Sequence, residues 1–296
     1  MNLRRLQSFL AVADCRSFRQ AADRLNRSQS AVSTHVQQLE EELGVPLLTR
    51  TTRSVSLTAA GRTLMVRSTN VLVELDAVAQ ELRDEAQLRR GRVCIGCSPS
   101  IAMNRLPPIL SLYQSKYPGI RLELHEDFAK NMYDRLAQEV TDFAIGPRMD
   151  ELKDLAFDKV MSDPIVAILP KDYPLVGRTK IGLREISRHP HLAMPRGTAI
   201  RTMLEEAYLS IGVTLAPRFE IVHQQTLFSM VEAGLGIAIS PSVSVPKVRT
   251  GSTYQVVPVA SPSITREICL VTLRSKVLSP PARSCAELIR KMLREN

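Results

Sequence analysis

The sequence has no hydrophobic run long enough to cross a membrane. Its longest apolar stretches, such as Ile165–Leu169, are far shorter than the roughly 20 residues of a bilayer-spanning helix. No apolar core or small-residue cleavage site of a secretion signal follows the first residues. The chain has 296 residues, of which 44% are hydrophobic and 23% charged, as is ordinary for a globular protein. We therefore expect two or three compact units, a cytoplasmic location and no membrane partner.

Residue patterns typical of catalysis are also missing. The histidines show no HExxH spacing, and no serine lies in a GxSxG turn. His189 and His191 flank Pro190, which favours a surface turn over a ligand pair. Gly234 and Gly236 lack the third glycine and the preceding strand of a nucleotide-binding loop. The sequence thus predicts no enzyme, no cofactor and no metal site.

Cysteine is too scarce for a disulfide framework, with five in the whole chain. Cys94 and Cys97 match the spacing of a redox or metal motif, but Arg92–Ser98 is typical of a strand. An odd separation along a strand places two side chains on opposite faces. Core packing is therefore favoured for both cysteines, and a redox sensor is the alternative.

Negative charge is scarce near the N-terminus. Residues 1–67 contain ten arginines and five acidic residues, which is +5 of the chain's formal +9, and the first lysine is Lys116. Arginine suits bidentate contacts to phosphate and to guanine better than lysine does. A GC-rich genome explains the preference for arginine equally well. The excess of positive charge nevertheless indicates an anionic partner.

The first third of the chain has a helical pattern. Leu3–Ala13 carries an apolar stripe, and Ser17 caps a helix that continues over Gln20–Leu25. After a break of about three residues, Ser28 caps another helix that ends at Gly44. Two helices at this spacing predict a helix-turn-helix.

A small hairpin and a long helix follow. Leu47–Arg50 and Val55–Leu57 flank a polar stretch, which predicts a wing with Arg50 and Arg53 near its tip. From Thr58 a helix extends to about Leu88, and its apolar seam alternates spacings of four and three. The seam consists of Leu64, Ser68, Val71, Leu75, Val78 and Leu82. Dimerisation through this seam is favoured, and packing on the chain's own later domain is the alternative.

From Arg92 onwards strand-like and helical segments alternate, which predicts an α/β domain with mainly parallel sheets. Val243–Tyr254 is predicted to be a surface loop. The predicted strands are Arg92–Cys97, Ile120–His125, Asp142–Ile145, Ile165–Leu169, Gly236–Ser240 and Ile268–Leu273. The predicted helices are Met103–Lys116, Lys130–Glu139, Thr198–Leu209, Thr226–Ala233 and Pro281–Leu293.

Side chains for reading DNA are expected on the second helix of the helix-turn-helix, which enters the major groove. Its outward positions carry short donors and acceptors that reach base edges or phosphates. The predicted DNA contacts are Gln29, Ser30, Ser33, Thr34, His35 and Gln38, together with Arg50 and Arg53 of the wing. The wing arginines would neutralise phosphates or enter the minor groove.

The stretch Ser17–Ser33, SFRQAADRLNRSQSAVS, resembles the S-F-x-x-A-A-x-x-L-x-x-S-Q-x-A-V-S signature of LysR-type transcriptional regulators. The likeness continues without a gap to Leu57-Thr58-Ala59-Ala60-Gly61. Ser30 and Leu48 depart from the proline and phenylalanine that are common in the family.

A solute-binding protein would not explain the helix-turn-helix, and an architectural DNA protein would not explain the α/β domain. A ligand-responsive regulator accounts for both.

The resemblance implies an all-α winged helix-turn-helix over 1–58, a linker and dimerisation helix over 59–90, and an effector-binding domain over 91–296. That domain would be a two-lobe α/β unit like the type 2 periplasmic binding proteins, with lobe I at 92–161 plus 267–296 and lobe II at 162–266. The family further implies a homotetramer on double-stranded DNA in the bacterial nucleoid, with a roughly palindromic operator. A small effector in the interlobe cleft would change DNA bending and contact with RNA polymerase.

Effector contacts are expected beyond the carboxyl ends of strands, near helix starts. The resemblance carries Ser98 and Ser100 over as effector-binding residues, and it places a polar pocket residue near Gln225. Arg196, Gly197 and Thr198 follow a predicted strand of lobe II, and Arg148 follows one of lobe I. Because paired arginine contacts select carboxylates, Arg148 and Arg196 predict an anionic effector.

Overall fold

The computed structural model describes residues 2–50, 55–245 and 253–295. The chain divides into two compact units, one ending at Arg83 and the other beginning at Asp84. Over these described ranges, no helix is both long enough and apolar enough to span a bilayer.

The first unit contains the helix-turn-helix and the wing. Side chains of Asn2, Ser17 and Ser28 each accept a backbone N–H at the start of a helix, and Gly44 ends the third helix in a left-handed conformation. The elements are α1 (Leu3–Cys15), α2 (Phe18–Arg24), α3 (Gln29–Leu43), β1 (Leu48–Arg50), β2 (Val55–Leu57) and α4 (Ala59–Ala86). These local capping signals explain why the predicted helix starts agree closely with the observed ones.

The core of the first unit forms where the apolar stripes of the helices meet. Phe9 and Val12 of α1 pack with Val32 and Val36 of α3, and all four are fully buried. Gly61 lets the start of α4 lie close to the backbone of Leu47, because a Cβ atom at position 61 would collide with the Leu47 carbonyl oxygen.

The second unit is a two-lobe α/β structure. Its strands are β3 (Gly91–Cys97), β4 (Ile120–Glu126), β5 (Phe143–Pro147), β6 (Leu155–Pro170), β7 (Ile181–Gly182), β8 (His191–Ala193), β9 (Phe219–Glu220), β10 (Ile237–Pro241), β11 (Tyr254–Ala260) and β12 (Thr265–Leu273). Its helices are α5 (Pro99–Asn104), α6 (Leu106–Lys116), α7 (Ala129–Ala137), α8 (Leu183–Ile186), α9 (Ala199–Ser210), α10 (Gln224–Glu232) and α11 (Pro280–Arg294). A short 3₁₀ turn spans Ser242–Ser244.

Two strands, β6 and β12, connect the lobes. The strand order is β4-β3-β5-β12-β6-β10-β8-β9, while β11 pairs with β6 and β7. The first part of β6 is antiparallel to β12, and its last part is antiparallel to β10 and β11. The prediction of mainly parallel sheets is therefore wrong at the centre of the unit, since the parallel pairs among the described strands involve neither β6 nor β12. The chain returns to lobe I directly alongside β6, and an antiparallel return needs no crossover helix.

The loop predicted for Val243–Tyr254 is described only at its two ends. Val243 belongs to the 3₁₀ turn, and Tyr254 begins β11, a strand that the sequence pattern did not predict. Its residues 246–252 lie outside the described ranges.

A buried histidine–tyrosine pair lies in lobe II. The Nε2 atom of His191 is 2.6 Å from the Tyr208 hydroxyl, and both side chains are buried. Burial lowers the pKa of His191 from 6.5 to about 4, so the imidazole is neutral at pH 7.

Acid should therefore weaken the fold, beginning above the pH range in which carboxylates titrate. Because the folded-state pKa of His191 lies below its unfolded value, the unfolded chain binds the proton more readily as pH falls from about 6.5 to about 4. The free energy of unfolding should drop by at most about 3 kcal/mol across this window. Urea unfolding of wild type and His191→Gln at several pH values measures the effect. The glutamine variant should lose this part of the pH dependence; an unchanged profile would exclude His191 as its source.

Candidate functional sites

The first half of α3 presents short polar side chains. Gln29, Ser30 and Thr34 are exposed, and Ser33 is half-buried. The Ser28 hydroxyl accepts the Ala31 N–H at 3.2 Å and lies 3.0 Å from the Ser30 hydroxyl, which fixes the start of the helix. The structure thus brings four predicted DNA contacts together on one helical segment with donors and acceptors that suit base edges.

His35 and Gln38 are only half-exposed. The Nδ1 atom of His35 lies 2.9 Å from the Ser8 hydroxyl of α1. Burial lowers the pKa of His35, and the nearby charges of Arg27, Arg5 and Arg4 lower it further. The bond to Ser8 positions α3 on α1, a role that the sequence did not reveal; contact of His35 and Gln38 with DNA stays a prediction.

The wing is held against α3 by Glu40. Its Oε1 atom accepts the N–H groups of Leu47 at 2.8 Å and Leu48 at 3.0 Å. In the hairpin β1–β2, Arg50 is paired with Val55, and Arg53 lies outside the described residues. Sequence periodicity gave no signal for Glu40, because its partners are backbone groups in the next element.

The predicted seam of α4 is covered in its first part and exposed in its second. Leu64 packs on the core of the first unit, and Ser68 is buried. Val71, Leu75, Val78 and Leu82 are between 49% and 63% exposed. Four large apolar side chains in one exposed row form an apolar patch, and pairing of two chains along it stays a prediction.

A small cleft of about 50 Å³ lies between the lobes of the second unit. It adjoins an outer cavity of about 450 Å³, and a volume of this second size lies in the range of roughly 300–1,000 Å³ that is typical of small-molecule sites. Four helices, α5, α7, α9 and α10, begin at the wall of the cleft. The lining residues are Ser98, Pro99, Ser100, Phe128, Ala129, Pro147, Met194, Thr198, Ala199, Ile200, Gln224, Pro241 and Arg266.

Three predicted effector residues line this cleft: Ser98, Ser100 and Thr198. The Ser98 hydroxyl is buried without a hydrogen-bond partner among the described residues. Thr198 caps α9 and donates to the Pro195 carbonyl at 2.9 Å. A buried hydroxyl without a partner is costly unless a ligand or water meets it, so Ser98 is a candidate ligand contact.

The other predicted effector residues lie elsewhere. Arg148 is bonded to Asp150 at 2.8 Å, Arg196 lies near Glu205, and both arginines are largely exposed. Gly197 has a φ of +86° in the turn before α9 and does not line the cleft. Gln225 lines an adjacent outer cavity with Glu126, Asp127 and His223.

The cation that does line the cleft is Arg266, which the sequence analysis missed. Its Nε donates to Asp163 Oδ2 at 2.8 Å, and its Nη2 donates to the Ser100 hydroxyl at 2.7 Å. Arg266 is 6% exposed and Asp163 is fully buried. Burial lowers the pKa of Arg266, and the Asp163 carboxylate opposes that shift. Asp163 also accepts from the Ser242 hydroxyl and the Val243 N–H, so the network ties both lobes to the crossing strands.

Arg201 of α9 is a second residue that sequence reasoning missed. It is 1% exposed and donates to Glu205, Glu220 and the Met194 carbonyl oxygen at 2.8, 2.9 and 3.1 Å. These bonds hold the segment that contains Met194 against the cleft. A lone arginine in an apolar helical stripe is the only sequence signal for this role.

Two family models together match nearly the whole chain. Residues 3–62 match the bacterial regulatory helix-turn-helix protein, lysR family, and residues 86–294 match the LysR substrate binding domain. The chain belongs to the LysR family of transcriptional regulators. This confirms the resemblance seen in the sequence, and the second unit is the effector-binding domain of a LysR-type regulator.

Individual relatives agree along the full length of this LysR regulator. It is 30% identical over 273 residues to a hydrogen peroxide-inducible genes activator of Dickeya chrysanthemi, covering 92% of this chain and 89% of the relative. Full-length OxyR of Pseudomonas aeruginosa matches with a TM-score of 0.80 at 21% identity, over 99% of this chain and 100% of that one. Full-length CbnR complexed with its target DNA matches with a TM-score of 0.67 at 17% identity over the same shares. These structures confirm the predicted fold class.

Proposed function

We propose that this LysR regulator binds a roughly two-fold symmetric DNA operator and that a small effector in the interlobe cleft modulates this binding. The observation that carries the proposal is the capped start of α3, where Gln29, Ser30 and Thr34 are exposed together beside a wing anchored by Glu40. Helix-turn-helix proteins read bases with this part of the second helix. The DNA complex of CbnR supports the same use of the fold.

The exposed row from Val71 to Leu82 supports pairing of two chains through α4. Two helix-turn-helix units joined in this way would bind two half-sites of one operator. Two such dimers would form the tetramer that the family resemblance implies. We infer that the assembly acts in the bacterial cytoplasm and contacts RNA polymerase at promoters, and that it has no catalytic activity of its own.

We infer further that the effector is an anion whose charged group enters the inner cleft. Arg148 and Arg196 no longer support this, because their charges are paired with exposed carboxylates away from the cleft. The support comes instead from the Ser98 hydroxyl and from the starts of α7, α9 and α10, whose N–H dipoles favour negative charge. Arg266 adds to it because, although Asp163 balances its charge, its guanidinium lines the cleft itself. Glu126 and Asp127 line the outer cavity and would repel an anion there, so the anionic end fits the inner cleft.

A thiol-based peroxide response, which the names of some relatives suggest, has no comparable support. Cys94, Cys97, Cys269 and Cys285 are all buried. Burial raises the pKa of each thiol, to about 11 for Cys94 and Cys269 and to about 12 for Cys285. Because the thiolate is the reactive form, these four side chains are poor peroxide sensors.

DNA binding by this regulator should depend steeply on salt, because phosphate contacts release counterions. Arg50→Ala should weaken binding to all sequences alike and reduce the log–log salt slope by about 1. Gln29→Ala should instead change the preference between operator variants by about 1–3 kcal/mol. Fluorescence anisotropy with labelled duplexes over a salt series measures both effects.

Arg178→Ala is the matched control, because it also removes one arginine charge. The Arg178 side chain is exposed on lobe II and lies 3.5 Å from the Glu185 carboxylate. This variant should leave DNA affinity unchanged. A flat salt response, or an equal loss in the Arg50 and Arg178 variants, would contradict the proposed DNA-binding surface.

A further inference from the structure

A thiol, a carboxylate and an imidazole converge on lobe I outside the cleft. The Cys94 thiol, a Glu123 carboxylate oxygen and a His125 ring nitrogen all lie within 4.8 Å of one another. Cys94 is buried, and the other two side chains are half-buried. None of the three lines the effector cleft or the outer cavity beside it.

The pairing of β3 with β4 brings these groups together. In this parallel pair Cys94 is the partner of Glu123, and Gly96 is the partner of His125. Residues two apart in a strand share a face, so Glu123 and His125 lie on the same side as Cys94. The Cys94 Sγ atom donates to Glu123 Oε2 at 3.3 Å. Positions on paired strands are rigid, which suits a preorganised binding site.

We propose that Cys94, Glu123 and His125 form a Zn²⁺ site. Thiolate, imidazole and carboxylate are the ligands that Zn²⁺ takes in proteins, at about 2.0–2.3 Å from the ion. In a tetrahedron such distances place ligand atoms roughly 3.3–3.8 Å apart, so rotations of the three side chains suffice to close the site. Three protein ligands leave a fourth position for water. Binding replaces the thiol proton, which is released to solvent.

Arginines near these ligands oppose a cation. Arg92 and Arg121 lie 3.6 and 3.1 Å from the Glu123 carboxylate, and Arg135 lies 3.2 Å from His125 Nδ1. All three side chains are 45–78% exposed, and exposed ion pairs contribute at most about 1 kcal/mol each. Coordination by three ligands exceeds this by several-fold. The Asp142 carboxylate, which accepts the Cys94 N–H at 2.8 Å, adds favourable negative charge.

Bound Zn²⁺ would link the two strands just before they reach the cleft. Beyond the ligands, β3 ends at Cys97 and β4 ends at Glu126, and the next residues include Ser98 and Phe128 of the cleft wall. Because the ion binds only the folded arrangement, it should raise the thermal stability of the regulator, and the rise should continue with the logarithm of the free Zn²⁺ concentration above the dissociation constant.

The test uses the full-length, reduced and tag-free protein after chelator treatment. Equilibrium dialysis with metal analysis should find one Zn²⁺ per chain, and Co²⁺ as a spectroscopic probe should give a thiolate-to-metal charge-transfer band. Cys94→Ser and His125→Gln should each weaken Zn²⁺ binding by more than about 100-fold, since even an outer partner of a metal ligand costs 10–100-fold. Since His125 is half-buried, its variant keeps the test valid if the Cys94 variant misfolds.

Cys15→Ser and Arg121→Gln are the controls. Cys15 is a half-buried cysteine in the other unit, so its variant should bind Zn²⁺ as wild type does. Arg121→Gln removes an opposing charge and should bind at least as tightly. The proposal would be overturned by a folded wild type without stoichiometric Zn²⁺, by a Co²⁺ complex without the thiolate band, or by unchanged affinity in the His125 variant.

Discussion

Arg266→Met is expected to destabilise the effector-binding unit by about 3–5 kcal/mol, because it leaves a buried carboxylate without its counter-charge. Asp163 is fully buried, and its strongest partner is the guanidinium at 2.8 Å. Two donors from the turn after β10, the Ser242 hydroxyl and the Val243 N–H, cannot neutralise the charge. The loss is a large fraction of a typical domain stability of about 5–15 kcal/mol. Urea unfolding of the full-length protein measures it.

Two further variants separate charge from packing. Combining Arg266→Met with Asp163→Asn removes both charges but keeps an acceptor for the Ser242 hydroxyl and the Val243 N–H, and it should recover most of the lost stability. Arg148→Met breaks exposed pairs with Asp150 and Glu267 and should cost less than about 1 kcal/mol. If the Arg148 and Arg266 variants lose equal free energy of unfolding, burial of the Arg266–Asp163 ion pair would not explain the loss in the Arg266 variant.

The double variant also tests the inferred class of effector. It keeps the fold but lacks the buried cation of the cleft, so small carboxylates that raise the melting temperature of the wild type should no longer do so. A thermal shift that persists in the double variant would contradict anion recognition by Arg266. Binding elsewhere in the cleft would then have to account for it.

Local signals in the sequence were sufficient for the first unit. Ser17 and Ser28 cap helices, Gly44 ends one, and the apolar stripes with period 3.6 identify the faces that form the core. Each of these signals acts within about one helical turn, which is the range over which a sequence pattern is readable. The helix-turn-helix, the wing strands and the long helix were therefore predictable almost to the residue.

Pairings across long separations were not predictable from local patterns. Asp163 and Arg266 are 103 residues apart and meet only because β6 and β12 pair in one particular register. The same limit explains why Arg148 and Arg196, which follow strands as ligand residues do, turned out to bind neighbouring carboxylates. Strand register is fixed by tertiary packing rather than by the period of the pattern.

The metal candidate illustrates this limit at a single strand pair. The motif from Cys94 to Cys97 invited a metal or redox interpretation, and strand alternation argued correctly that its two thiols face apart. Cys97 packs in the core of lobe I, whereas Cys94 contacts Glu123 on the neighbouring strand. The side chains near Cys94 are thus Glu123 and His125, which lie 29 and 31 residues further along the chain. Only the register of β3 and β4 reveals that they are neighbours.

Leu75→Asp is expected to separate the paired regulator into single chains and to lower operator affinity by at least about 100-fold. Leu75 lies in the middle of the exposed row on α4 and is 53% exposed in the single chain. If two α4 helices pack along this row, the substitution buries a carboxylate from each chain in an apolar seam, which costs several kcal/mol. A loss of 1.4 kcal/mol lowers affinity about tenfold. A single chain also has only one helix-turn-helix and therefore binds only one half-site of the operator.

Val73→Asp is the matched control for this experiment. Val73 lies on the same helix and is 65% exposed, but it does not belong to the exposed row from Val71 to Leu82. It should leave both the assembly and the operator affinity close to wild type. Sedimentation velocity gives the oligomeric state, and anisotropy titration gives the affinity, at the same protein concentrations. An oligomer that survives Leu75→Asp, or that dissociates equally with Val73→Asp, would show that the seam does not join the chains.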